Sequence, residues 1–143
     1  MSIVWRFTSL DDAPFFLNQS KGMSDIPSSR PLRQRYVRAC ILFSWLSLEE
    51  VLEYVIRQKE KEGTLKHPVP SRLGDKLRFV LHALRKSHSS SEFQTLRKIR
   101  NHLVHPASET DETTLLTQNQ AAAAFRYCSS TIQRLCPVKV AWL

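Results

Sequence analysis

Glycine is scarce in this chain, with three in 143 residues. No long stretch alternates β-branched with polar residues, so an all-β fold is not expected. Long apolar runs are also missing. Ala39 to Leu48 is interrupted by Ser44 and Ser47 and is too short to span a bilayer, so no membrane partner is expected. The opening segment Met1-Ser2-Ile3-Val4-Trp5-Arg6 lacks the basic stretch, apolar core and small-residue cleavage site of a signal peptide. A cytoplasmic location is therefore expected. There are three cysteines, Cys40, Cys128 and Cys136, an odd number whose spacing fits neither a zinc site nor a disulfide framework. They read as small apolar residues in a reducing compartment. The chain has no Gly-rich phosphate loop, no His-Glu-x-x-His, no nucleophile elbow and no carboxylate cluster of metal-site type. Neither a cofactor nor a metal site is expected.

Acidic residues are in the minority, 13 against 21 Lys and Arg, which gives a formal charge of +8. Such a balance favours an anionic partner, RNA or another nucleic acid first, because clustered cations release counterions from phosphates. Hydrophobic residues at 42% and charged residues at 24% are ordinary for a globular protein. The length suits one domain with a core of its own.

Residues 1–34 read as an N-terminal arm or short helix packing over a core made by residues 35–143. Ile3, Val4, Trp5 and Phe7 suit a short strand or arm. Ser9-Leu10-Asp11-Asp12 looks like a helix start, with carboxylates where the helix dipole favours them. Asn18 to Pro31, rich in Ser, Gly and Pro, reads as a loop. From Tyr36 to Ile56 there is neither Gly nor Pro. Val37, Ile41, Leu48, Leu52 and Val55 make a helical stripe that should close at a Gly63 cap. Glu53 and Arg57 are spaced for an exposed pair. A second helix is expected over residues 71–86, with Leu73, Leu77, Val80, Leu81 and Leu84 as its apolar stripe and His82 beside it. Ser89 with Glu92, and Thr117 with Gln120, have capping-box spacing, so two more helices should begin there. Pro106 and Pro137 should stop them, with a polar loop over 107–114 and an apolar tail over 138–143. The expected fold is all-α, an antiparallel four- to five-helix bundle.

The chemistry is densest in Leu96-Arg97-Lys98-Ile99-Arg100-Asn101-His102-Leu103-Val104-His105-Pro106. On a helical wheel Phe93, Leu96, Ile99, Leu103 and Val104 share an apolar arc, and Arg100 falls inside it. An arginine turned toward a core needs an answering charge. Glu49, Glu50 and Glu53 of the long helix are candidates. Arg100 is therefore either a structural ion-pair member or the floor of an anion site. Asn101 and His105 lie one turn apart beside the arc. A guanidinium, an amide and an imidazole together make a set that can handle a phosphate. Lys98 and His102 point away from the arc.

Arg100-Asn101-His102-Leu103-Val104-His105-Pro106 resembles the Arg-x4-His signature of the HEPN family (higher eukaryotes and prokaryotes nucleotide-binding). In that family the signature ends the third core helix of an all-α bundle. The long helix from Arg35 to Glu50 resembles the family's first core helix, and the likeness covers roughly residues 35–136. The resemblance implies a metal-independent endoribonuclease acting as a homodimer, with two copies of the motif forming one composite site in a basic cleft. His105 would be the acid/base residue, Arg100 would stabilise charge on the scissile phosphate, and Asn101 would orient the phosphate or hold His105. The products would be a 2′,3′-cyclic phosphate and a 5′-hydroxyl. Arg97, Lys98, Arg35 and Arg38 would follow the RNA backbone.

A toxin or an antiphage or stress effector fits this reading, with an antitoxin or a nucleotidyltransferase as partner. Some HEPN toxins carry a Tyr two residues after the motif His, which a nucleotidyltransferase modifies. Ala107 stands there instead, a departure that counts against regulation by that route. The family also has members that only bind nucleotide, RNA or a protein partner. A non-catalytic module of that kind is the alternative expectation.

Overall fold

The computed structural model describes residues 8–24, 26–65, 67–104 and 116–136, apart from the side chains of Thr8, Ser9 and Val104. Among these residues the chain is a helical bundle without strands. Its helices are α1 (Thr8–Lys21), α2 (Arg30–Glu62), α3 (Leu73–Ala83), α4 (Ser90–Val104) and α5 (Gln118–Leu135). The expected N-terminal strand or arm, the loop over 107–114 and the tail over 138–143 lie outside the described residues.

Helix α2 organises the bundle and touches each of the other four. It runs 33 residues, roughly 50 Å at about 1.5 Å per residue. Pro31 stands in its first turn, where a missing N–H removes no helical bond. Gly63 ends it at φ 70°. The Gly63 N–H bonds the Glu60 carbonyl and the Thr64 N–H bonds the Lys59 carbonyl, so the last turn closes on itself. Ser44 and Ser47, which interrupt the apolar run in the sequence, are fully buried. Each hydroxyl donates one turn back at 2.7 Å, to the Cys40 and Phe43 carbonyls, and needs no other partner.

The expected loop over residues 18–31 is corrected at both ends. Helix α1 continues through Asn18, Gln19 and Ser20 to Lys21, and α2 begins at Arg30. The buried Ser20 hydroxyl donates to the Leu17 carbonyl at 2.6 Å, so a polar residue completes the helix where composition suggested a break. Leu10, Ala13 and Leu17 of α1 are buried in the same core as α2, and residue 34 falls inside α2. Phe16 stacks on Tyr36 and Phe43, two turns apart on α2.

Helix α3 is shorter than its apolar stripe suggests. It stops at Ala83 because Arg85 takes a left-handed conformation, φ 57°. Arg85 and Lys86 then donate back to the His82 and Leu81 carbonyls. A non-glycine residue there costs roughly 1–2 kcal/mol, and the turn it makes brings His88 onto α5. Helix α5 starts with the expected capping box. The Thr117 hydroxyl accepts from the Gln120 N–H at 3.1 Å, and the Gln120 side chain accepts from the Thr117 N–H at 2.8 Å.

Candidate functional site

Helix α4 turns Phe93 and Leu96 into the core and leaves Ile99 and Leu103 half-buried. Arg100 emerges at the edge of that stripe. Its guanidinium donates through Nη2 to Glu49 Oε1 on α2 at 2.7 Å and through Nη1 to Asn101 Oδ1 at 3.2 Å. The Arg100 and Glu49 side chains keep 25% and 33% of their surface exposed. The pair is therefore neither stranded in the core nor fully solvated. A guanidinium has five N–H donors in a planar fork, and two of them bond to described residues.

Beside the pair lies a cavity of about 230 Å³ lined by Leu42, Trp45, Leu46, Glu49 and Arg100. Trp45 forms its inner wall and packs edge-on against Phe93 at 5.7 Å. Leu42 and Leu46 stand on its rim, 38% and 43% exposed.

The structure brings Arg100, Asn101 and Glu49 together. The other carboxylates named as partners are placed elsewhere. Glu53 accepts from Lys76 of α3 at 2.6 Å, and Glu50 is half-buried one position further round α2. Arg97 lies over the Phe93 ring, 6.0 Å from its centroid. Lys98 is exposed and His102 half-buried. Arg35 and Arg38 are exposed on the outer side of α2, roughly 21 and 16 Å from Glu49 along the helix axis. His105 lies outside the described residues, as do Pro106 and Ala107. No group of three or more His, Cys, Asp or Glu among the described residues is placed to hold a metal ion.

Two features escaped the sequence reading. The first is the contact between His88 and Tyr127, with Nε2 and the hydroxyl 3.1 Å apart. Burial, then the charges of Arg78 and Arg134, lower the His88 pKa, and burial raises that of Tyr127. The two groups share one hydrogen bond, whose direction follows the imidazole tautomer. Both rings pack on Phe93. A histidine in a serine-rich turn has no periodicity that couples it to a residue 39 positions later.

The second is a larger cleft of about 460 Å³ where the starts of α2 and α5 meet. Arg30, Arg33, Gln34, Thr117 and Asn119 are among its lining. Gln34 braces it by bonding the Leu116 carbonyl at 2.7 Å and the Leu116 N–H at 3.1 Å. Its described lining offers cations and amides but no group that exchanges a proton near neutral pH.

The cysteines are free thiols. Cys40 and Cys128 are buried and Cys136 half-buried. Burial pushes the Cys40 thiol up to about 11 and Cys128 well above its ordinary range.

No helix among the described residues is long and apolar enough to cross a membrane. Compared with family models, with curated proteins and with solved structures, the chain matches none.

Proposed function

We propose that this chain is a metal-independent endoribonuclease of HEPN type that works as a homodimer. The observation that supports it is Arg100, a partly exposed guanidinium held by Glu49 and Asn101 in the last turns of α4. In the sequence His105 follows Asn101 by four residues. In this reading His105 serves proton transfer to or from RNA. A base takes the proton of the ribose 2′-hydroxyl and the 2′-oxygen bonds to phosphorus. The bond from phosphorus to the 5′-oxygen breaks, and an acid protonates that leaving oxygen. Arg100 offsets the negative charge that builds on the phosphate, a task suited to a positioned guanidinium. Arg97 and Lys98, on the same helix, hold flanking phosphates. A role as a toxin or as an antiphage or stress effector suits such an activity.

Incubation with RNA in EDTA tests this. The wild-type protein is expected to leave 2′,3′-cyclic phosphate ends. His105→Ala and Arg100→Ala should each slow cleavage by about 100-fold or more. Equal cleavage by wild type and His105→Ala would sink the assignment.

One observation favours a second reading. Glu49 already answers the Arg100 charge at 2.7 Å, which suits a module that binds RNA, nucleotide or a protein without turnover. That reading expects RNA affinity that falls steeply with salt and no cleavage of any RNA offered.

A further inference from the structure

Helix α2 supplies most of the 230 Å³ cavity. Leu42, Trp45, Leu46 and Glu49 fall at i, i+3, i+4 and i+7, so one face of the helix gives three apolar walls and a carboxylate. Arg100 of α4 closes the end beside Glu49. The volume is below the roughly 300–1,000 Å³ of sites for drug-sized ligands, so it suits one ring system and not a whole nucleotide. Trp45 is 1% exposed, and its indole N–H meets no acceptor among the described residues. A buried donor in that state is costly and calls for an acceptor. Glu49 engages Arg100 through Oε1, and a carboxylate can accept about four bonds. The cavity therefore fits an occupant with flat apolar faces and a polar edge. An apolar side chain of another protein would fill the volume but answer neither the indole N–H nor the carboxylate.

We propose that this cavity is a guanine pocket in which Glu49 selects the base. Guanine carries the O6 acceptor, the N1–H donor and the N2–H donor in order along one edge. O6 answers the Trp45 N–H, and the two donors answer the Glu49 carboxylate. The other bases fail on that edge. Uracil has one donor between two acceptors, cytosine has two acceptors beside its amine, and adenine has one amine beside a bare ring nitrogen. Each would turn a lone pair toward the carboxylate. The indole N–H is closed off from solvent. The exposed leucines at the rim, Leu42 and Leu46, turn about their side-chain bonds to admit the base.

Arg100 has a separate task in this arrangement. Its bond holds the Glu49 carboxylate in place, and its charge answers a phosphate next to the bound guanosine. That the guanosine belongs to RNA rests on the ribonuclease reading. The base preference itself rests on the cavity.

Calorimetric titration with the four nucleoside monophosphates tests the pocket. GMP should bind at least about tenfold more tightly than AMP, CMP or UMP, the discrimination expected of one bidentate base contact. Inosine monophosphate, which lacks only the N2 amine, should bind more weakly than GMP. Glu49→Gln should erase the preference for GMP over AMP, an effect that mere loss of stability would not produce. Leu46→Trp, filling the cavity from its rim, should abolish GMP binding with helical circular dichroism unchanged. Equal binding of all four nucleotides, no binding of any at millimolar concentration, or a preference untouched by Glu49→Gln would each overturn the proposal. RNA oligomers with a single guanosine separate the pocket from the ribonuclease reading. Cutting beside that guanosine supports both. A guanine preference without cutting of any RNA keeps the pocket and removes the ribonuclease. Cutting indifferent to guanosine, with no preference for GMP, does the reverse.

Discussion

Arg100 Nη2 and Glu49 Oε1 stand 2.7 Å apart across the contact between α4 and α2, each side chain still partly in solvent. The exposure decides how strong the pair can be. Half-solvated pairs contribute little, because water screens them and two long side chains must be ordered. A double-mutant cycle with Arg100→Ala and Glu49→Ala, followed by urea unfolding, should give a coupling of about 0.5–1 kcal/mol. A coupling of roughly 3 kcal/mol or more would mark a buried structural pair and remove the reason to see a ligand-handling arginine.

Gly74 of α3 faces the Phe93 ring of α4. A Cβ there would meet Phe93 Cε1 at 2.9 Å. Phe93 is buried and wedged against Trp45, so the ring cannot simply swing away. Gly74→Ala should destabilise the fold by about 1–2 kcal/mol, overpacking outweighing the better helix propensity of alanine. Thermal melting checks this; a rise in Tm would show that the helices separate at little cost.

His88 makes stability depend on pH. Its folded pKa is lowered from the ordinary value near 6.5, first by burial and then by Arg78 and Arg134. The unfolded chain therefore binds the proton more readily than the folded one. Stability is full above about pH 6.5 and falls as the pH drops through that value toward the lowered folded pKa. The Tm should decrease between pH 7.5 and 5.5, and His88→Gln should flatten that slope. An unchanged slope in the variant would assign the effect to other groups.

The thiols should divide by burial. With the native protein at pH 8, an aromatic disulfide reagent should label Cys136 first, while Cys40 and Cys128 wait for denaturant. Buried thiols with raised pKa hold almost no thiolate. Fast labelling of all three would mean that the α2–α5 contact opens readily.

Local patterning settled a good part of the fold. The glycine-free run of α2, the Gly63 stop and the Thr117–Gln120 capping box are decided within a turn or two of chain, and all three are readable as letters. Ser44 and Ser47 are not. Their burial rests on back-bonding to carbonyls one turn earlier, which hides their polarity from any apolar count. The end of α3 was equally hidden, because the left-handed Arg85 is held by the packing of the turn and not by a residue that prefers that geometry.

Arg100 shows the same division within the candidate site. Its place inside an apolar arc follows from 3.6 residues per turn, so the sequence alone established that it needs an answering charge. Glu49, Glu50 and Glu53 were equal candidates, because a one-dimensional pattern carries no information about how α2 and α4 are rotated against each other. Only the tertiary packing chose Glu49 for Arg100 and gave Glu53 to Lys76. The meeting of His88 with Tyr127 had the same origin. Helical period sets which face of each helix is apolar, while the contacts between faces depend on distances that exist only once the core has closed.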